Sequence, residues 1–142
     1  MYDALTIANY IIIYYEKRDW GVSNLKLQKI LYFLQAEFLI EKGYELFDEE
    51  IEAWGFGPVV SCVYRKYKMF GCMDVPAKGI DEPFIDKETR TIIDGLLERV
   101  KDMSSTFLTD ITLHQKPWKQ NYVKDEKRII PKKEIRNYFL EI

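Results

Sequence analysis

Apolar residues recur at helical spacing along most of this chain, and the stretch 24–42 is the most apolar part. Its main stripe consists of Leu27, Ile30, Leu31, Leu34 and Phe38. Further apolar residues occupy much of the remaining circumference, and a helix with so little polar surface is normally central to its domain. The pattern therefore predicts a central helix that Ser23 or Asn24 caps at its start and that Gly43 ends.

The same periodicity predicts the helices on either side. Asp3 and Asp86 can each cap a helix, and either Ser104 or Ser105 can cap a third. The last apolar stripe predicts a helix over 132–141. We therefore expect helices along nearly the whole length of the chain.

Two short stretches predict strands. Residues 49–55 alternate weakly between polar and apolar, and Ile129-Ile130-Pro131 predicts an edge strand within 128–131. The fold class is therefore predicted to be α+β and predominantly helical. About six helices are expected around the central helix 24–42, with a small β element beside them.

The segment Gly55-Phe56-Gly57-Pro58 is expected to turn the first strand directly into a helix. Glycines permit a tight turn, and proline costs no hydrogen bond in the first turn of a helix. The segment lacks the Gly-Lys-Ser/Thr signature of a phosphate loop. We therefore interpret it as a structural turn.

Composition limits the possible classes of protein. A chain of 142 residues, 47% of them hydrophobic, can bury a sizeable core, so we expect one domain spanning 1–142. A net charge of −2 argues against a protein that coats nucleic acid, although the basic region 116–136 leaves a polyanionic or acidic partner open. Two cysteines and the lack of a leader or membrane-length apolar run favour the cytoplasm, with Cys62 expected in the core.

The residues nominate no catalytic, cofactor or metal site. The one histidine, His114, lies between Leu113 and Gln115, without a neighbouring acid. Neither cysteine has a local histidine, and one histidine with two cysteines cannot complete a tetrahedral zinc site. The sequence therefore predicts a protein that is not an enzyme and binds no cofactor.

Gln28, Tyr32 and Gln35 share one face of the central helix because they are four and three residues apart. Amides in apolar surroundings must find hydrogen-bond partners. We favour an internal network that fixes how neighbouring helices dock. The alternative is a polar stripe presented to a partner protein.

Three blocks of the sequence together resemble one known family. They begin at Asn24, at Ile51 and at Ile111. The residues that carry the resemblance are Leu27, Gln28, Lys29, Leu31, Tyr32, Gln35, Trp54, Gly57, Pro58, Val59, Tyr64, Thr112, Pro117 and Trp118. On these residues the chain resembles the Panacea domain family of SocA-like antitoxins and phage-associated proteins. The third block departs from the family pattern, since Leu113 occupies the position of the family histidine and His114 is displaced by one residue.

The resemblance implies an antitoxin that neutralises a cytoplasmic toxin by direct protein contact, the toxin being encoded by an adjacent gene. One alternative is an adaptor that delivers the toxin to a ClpXP-like protease. A second, from a different class, is a nucleic-acid-binding prophage regulator that uses the basic region 116–136. The family pairs one domain with many unrelated toxins, so the resemblance does not identify the toxin.

Four aromatic residues near the glycine-rich turn are the candidate partner-binding residues. They are Trp54, Phe56, Tyr64 and Tyr67. Aromatic anchors surrounded by charge are typical of interface hot spots, and the acidic run 49–52 lies beside them. We expect at least one of the four to be exposed. The alternative is that all four belong to the core.

Overall fold

The computed structural model describes residues 1–142. Seven α-helices and three short strands follow one another as α1 (Ala4–Lys17), α2 (Asn24–Glu41), β1 (Ile51–Trp54), β2 (Gly57–Val59), α3 (Ser61–Tyr67), α4 (Lys87–Val100), α5 (Ser105–Leu113), α6 (Lys116–Lys119), β3 (Arg128–Ile130) and α7 (Lys132–Glu141). One turn of 3-10 helix, Lys68–Phe70, continues α3. The predicted class, predominantly helical α+β, is confirmed. None of these helices combines the length and apolarity that crossing a membrane requires.

Four helices begin at side-chain caps that the sequence indicated. Asp3, Ser23, Asp86 and Ser104 each accept a hydrogen bond from the backbone N–H three residues further on. Each cap satisfies an N–H group that has no partner within its helix. Beyond the end of α2, Gly43 has φ +77°, in the left-handed region that favours glycine.

Helix α2 lies at the centre of the fold. It packs against α1, α3, α4, α5, α7 and β2. Every residue of its predicted apolar stripe is buried in one hydrophobic cluster of 33 residues. The prediction of a central helix is therefore confirmed.

The three strands form an antiparallel sheet in the order β2-β1-β3. In the central strand, Ile51 and Ala53 are buried, whereas Glu52 and Trp54 lie on the other face. Ala53 pairs with Pro58 of β2 on one side and with Arg128 of β3 on the other. The edge strand predicted within 128–131 is thereby confirmed.

The predicted turn from strand to helix is wrong. Gly55 and Phe56 form the loop of a β-hairpin, because Trp54 pairs with Gly57 and Pro58 continues β2. An edge strand tolerates proline when its missing N–H faces away from the sheet. Helix α3 begins only at Ser61.

Cys62 is exposed rather than buried. In the first turn of α3 the core-facing positions belong to Val63 and, four residues on, to Tyr67. Cys62 therefore lies on the solvent side of this short helix.

Candidate partner-binding site

The three sequence blocks meet at the β1–β2 hairpin. From α2, Lys29 Nζ donates a hydrogen bond to the carbonyl oxygen of Pro58 at 2.9 Å. From α6, Trp118 Nε1 donates to the carbonyl oxygen of Trp54 at 2.7 Å. Side chains of two helices therefore hold the backbone on both sides of the hairpin loop.

Gly57 is the point of closest approach between the hairpin and these helices. A Cβ atom at Gly57 would lie 2.8 Å from Thr112 Oγ1 and 3.0 Å from Lys29 Nζ. The residue also has φ +107°, which L side chains rarely adopt. Glycine is therefore required here both by the backbone conformation and by the lack of space.

Lys29 is fully buried beneath the hairpin. Its ammonium lies 5.4 Å from the centre of the Phe56 ring. Burial lowers the pKa of Lys29 to about 7, because the charged form loses its hydration. This burial was not predicted from the sequence, because it depends on the hairpin folding across α2.

Three rings form a cluster on the outer side of the hairpin, which we name the aromatic cluster: Trp54, Phe56 and Tyr64. The ring of Trp54 lies 5.0 Å from Tyr64 and 5.7 Å from Phe56, and the remaining pair is also 5.7 Å apart, centre to centre. Such separations are typical of favourable aromatic pairs. All three side chains are half-buried, so each keeps part of its ring in solvent.

The aromatic cluster separates two surface depressions. One, of about 350 Å³, is lined by Leu25, Phe56 and Tyr64 among others. The second, of about 330 Å³, lies beyond the loop and is lined by Trp54, Phe56 and Lys127 among others. Phe56 lines both depressions.

The charges around the aromatic cluster are both acidic and basic. Glu49 accepts a hydrogen bond from the N–H of Ala4 at 2.9 Å, and Glu52 accepts one from Trp54 Nε1 at 2.8 Å. Lys127 Nζ lies 4.4 Å from the centre of the Trp54 ring. These acidic groups are thus engaged within the protein, and a cation contacts the cluster directly.

Tyr67, the fourth predicted partner-binding residue, lies in the core. It is only 5% exposed, and its hydroxyl hydrogen-bonds to Asn9. Burial raises the pKa of this phenol. The structure therefore separates Tyr67 from the three rings of the aromatic cluster.

The polar stripe of α2 forms an internal network, as we favoured from the sequence. Gln28 Oε1 accepts from the N–H of Val60 at 2.8 Å, and Tyr32 donates to Gln115 Oε1 at 2.7 Å. Gln35 Oε1 accepts from the N–H of Leu46 at 2.8 Å, while its amide nitrogen donates to the carbonyl oxygen of Phe47, also at 2.8 Å. These side chains are buried, so they are not available to a partner.

The third block places His114 at the surface and Gln115 in the interior. His114 is exposed, with Nδ1 2.8 Å from the carbonyl oxygen of Asp110. Gln115, which the sequence analysis did not single out, is buried and receives the Tyr32 hydrogen bond. No three histidine, cysteine, aspartate or glutamate side chains lie together in a way that could hold a metal ion.

Comparison with known proteins identifies the family of the three blocks. The family model described as "Antitoxin SocA-like, Panacea domain" matches residues 27–119. The chain belongs to this family. The match begins within α2 and ends with α6, before β3.

A curated relative supports the assignment over a shorter region. The chain is 44% identical over 69 residues to "Antitoxin SocA" of Caulobacter vibrioides (strain NA1000 / CB15N). That alignment covers 49% of this chain and 37% of the relative, so the chain spans little more than a third of that protein's length in the match. No solved structure matches the chain.

Proposed function

We propose that this Panacea protein is an antitoxin that neutralises a toxin protein by direct contact through the aromatic cluster. The observation that carries the proposal is the placement of Trp54, Phe56 and Tyr64 on the outer side of a hairpin. The family assignment and the SocA relative support the antitoxin role. Neutralisation by contact through this surface requires no catalytic group.

The hairpin is suited to binding because it is held in place before a partner arrives. Lys29 and Trp118 bond its backbone from the interior, and the rings contact one another. A preorganised surface loses less conformational entropy on association than a flexible one. Aromatic anchors beside depressions are also the residues that contribute most to measured interface affinity.

Neutralisation by occlusion and delivery to a ClpXP-like protease make different demands on the toxin. Occlusion leaves the toxin intact in a stable complex, whereas delivery lowers its amount in the cell. The aromatic cluster supports contact with the toxin in both cases. We favour occlusion, since contact alone is sufficient for it.

Co-expression with the product of the neighbouring gene tests the proposal. The wild-type chain should relieve the growth arrest which that product causes, and Phe56→Ala and Tyr64→Ala should each abolish the relief. The melting temperature of each purified variant should stay close to that of the wild type, because each ring is already partly in solvent. Immunoblotting of the toxin distinguishes occlusion from proteolytic delivery.

Phe84→Ala is the matched control for these variants. Phe84 is 86% exposed and lies apart from the hairpin, beside Tyr10 and Arg90. Its loss should leave the relief of growth arrest unchanged. Relief that persists in both cluster variants, or that disappears together with folding, would contradict the proposed surface.

A further inference from the structure

One edge of the sheet is closed by side chains of α2. At the β2 edge, Gln28 Oε1 accepts the N–H of Val60 at 2.8 Å and Lys29 Nζ donates to the carbonyl oxygen of Pro58 at 2.9 Å. Pro58 itself has no N–H group. This edge therefore offers little to an additional strand, and proteins commonly block strand edges in such ways.

The hydrogen bonds at β2 also determine the orientation of the central strand. Pro58 has no N–H to donate, so Pro58 and its partner Ala53 form a non-hydrogen-bonded pair. The Pro58 carbonyl oxygen instead accepts from Lys29. The N–H and C=O of Ala53 consequently point toward β3. There Ala53 and Arg128 form a hydrogen-bonded pair.

The alternation of antiparallel pairing then fixes the other edge. The pair next to Ala53 and Arg128 is Glu52 and Ile129, which must be of the non-hydrogen-bonded type. The N–H and C=O of Ile129 therefore point outward from the sheet. Neither group bonds to a turn, loop or side chain of the protein, so the β3 edge is open where the β2 edge is closed.

The open edge adjoins the aromatic cluster. Ile129 lies opposite Glu52, so its side chain is on the same face of the sheet as Glu52 and Trp54. That side chain is 49% exposed. An unpaired strand edge therefore lies on the same face of the sheet as the cluster, with Glu52 between Trp54 and Ile129.

The positive charge around β3 determines which kind of strand could pair with its open edge. Residues 124–136 contain six basic and three acidic side chains, a local excess of three positive charges. Lys127 and Arg128 lie at the strand itself and are exposed. Pairing of β3 with β3 of a second copy would bring these like charges together, whereas an acidic strand would be attracted.

We propose that the β3 edge accepts an extended, acidic segment of a partner protein as a fourth strand of the sheet. Main-chain hydrogen bonds to Ile129 would supply affinity, as in other cases of strand addition, and the basic flanks would select acidic side chains. The inference rests on the proposed function in taking the toxin as the source of this strand.

Ile129→Pro tests the backbone contact. Of the backbone groups at position 129, proline removes only the N–H, which faces away from β1. Pairing with β1 is therefore retained, and the variant should fold. Its affinity for the product of the neighbouring gene should fall about tenfold or more, which corresponds to one lost interfacial hydrogen bond with its desolvated partner. Ile129→Ala keeps the N–H and is the matched control, with a smaller loss expected.

Amide hydrogen exchange on the wild-type chain gives a readout that does not depend on the variant folding. Exchange at Ile129 should slow about tenfold or more when the neighbouring gene product binds, because the amide becomes paired. Unchanged exchange at Ile129 in a complex that forms would overturn the proposal. So would equal affinity of Ile129→Pro and the wild type.

Two further measurements separate this inference from the proposed function. If Phe56→Ala abolishes the relief of growth arrest while Ile129→Pro retains it, the aromatic cluster stands and the fourth strand is wrong.

If the neighbouring gene product does not bind at all, a short blocked peptide of alternating glutamate and valine serves as the probe. It should slow exchange at Ile129 where its lysine-for-glutamate counterpart does not, and failure of both peptides would reject the edge site. A dimer of the wild type that Ile129→Pro converts to a monomer would assign the edge to a second copy instead.

Discussion

The buried positions of α2 and the outer face of the hairpin reverse the usual distribution of polar and apolar side chains. Gln28, Lys29 and Gln35 are completely buried, whereas Trp54 and Phe56 remain partly in solvent. Each buried polar side chain hydrogen-bonds to the backbone of another segment. The comparison shows that these polar groups are buried because the neighbouring backbone needs partners, and that the hairpin they hold can keep its aromatic rings at the surface.

Apolar packing around α2 should have the largest effect on stability. Leu31→Ala is expected to lower the free energy of unfolding by about 2–5 kcal/mol, because Leu31 is fully buried and its truncation leaves a cavity. Urea denaturation measures the change. Leu140→Ala makes the same chemical change at a half-exposed position and should cost far less; equal losses at the two positions would show that Leu31 is not a core residue.

The buried amide of Gln35 should come next. Gln35→Ala leaves the N–H of Leu46 and the C=O of Phe47 without their partner, and each unpaired buried group costs about 1–3 kcal/mol. Urea denaturation again reports the loss. Glu41→Ala, at the exposed end of the same helix, should be close to neutral. A neutral Gln35→Ala would mean that the amide does not stabilise the segment after α2.

Much of the fold could be predicted because its signals are local. Asp3, Ser23, Asp86 and Ser104 cap helices through bonds to residues three positions away, and the apolar stripe of α2 is readable from spacing alone. The internal network of Gln28 was also predictable, since an amide in an apolar helix requires partners.

The hairpin and the buried lysine could not be predicted because they depend on distant segments. Pro58 suits the start of a helix and an edge strand equally well, and pairing with β1 decides between them. Lys29 resembles any helical lysine until Thr112 and the hairpin enclose it. The burial of the four candidate aromatics could be predicted only in part: Trp54, Phe56 and Tyr64 are half-buried, while Tyr67 faces the core. That any of these rings binds a partner stays a prediction.

Lys29 should make stability rise with pH. Its folded pKa of about 7 lies below the ordinary value of 10.5, so between these values the unfolded chain binds a proton that the folded chain does not. The free energy of unfolding should therefore increase by about 2 kcal/mol from pH 7 to pH 9, relative to Lys29→Met. Denaturation at both pH values measures this difference. Lys124→Met, at an exposed position, should leave the rise intact; a rise that persists in Lys29→Met would assign it to another group.

The smallest effect is expected on the outer face, where Lys127 lies over the ring of Trp54 at 4.4 Å. A cation above an exposed aromatic ring contributes about 0.5–1 kcal/mol, so Lys127→Ala should lower the free energy of unfolding by no more than that. A double-mutant cycle with Trp54→Leu isolates the contact, and Lys124→Ala is the control for loss of one exposed positive charge. Since the side chain is in solvent, added salt should reduce the coupling. A coupling energy as large as the loss from Gln35→Ala would contradict the comparison, because it would make the outer face a stabilising part of the fold rather than a surface free to bind a partner.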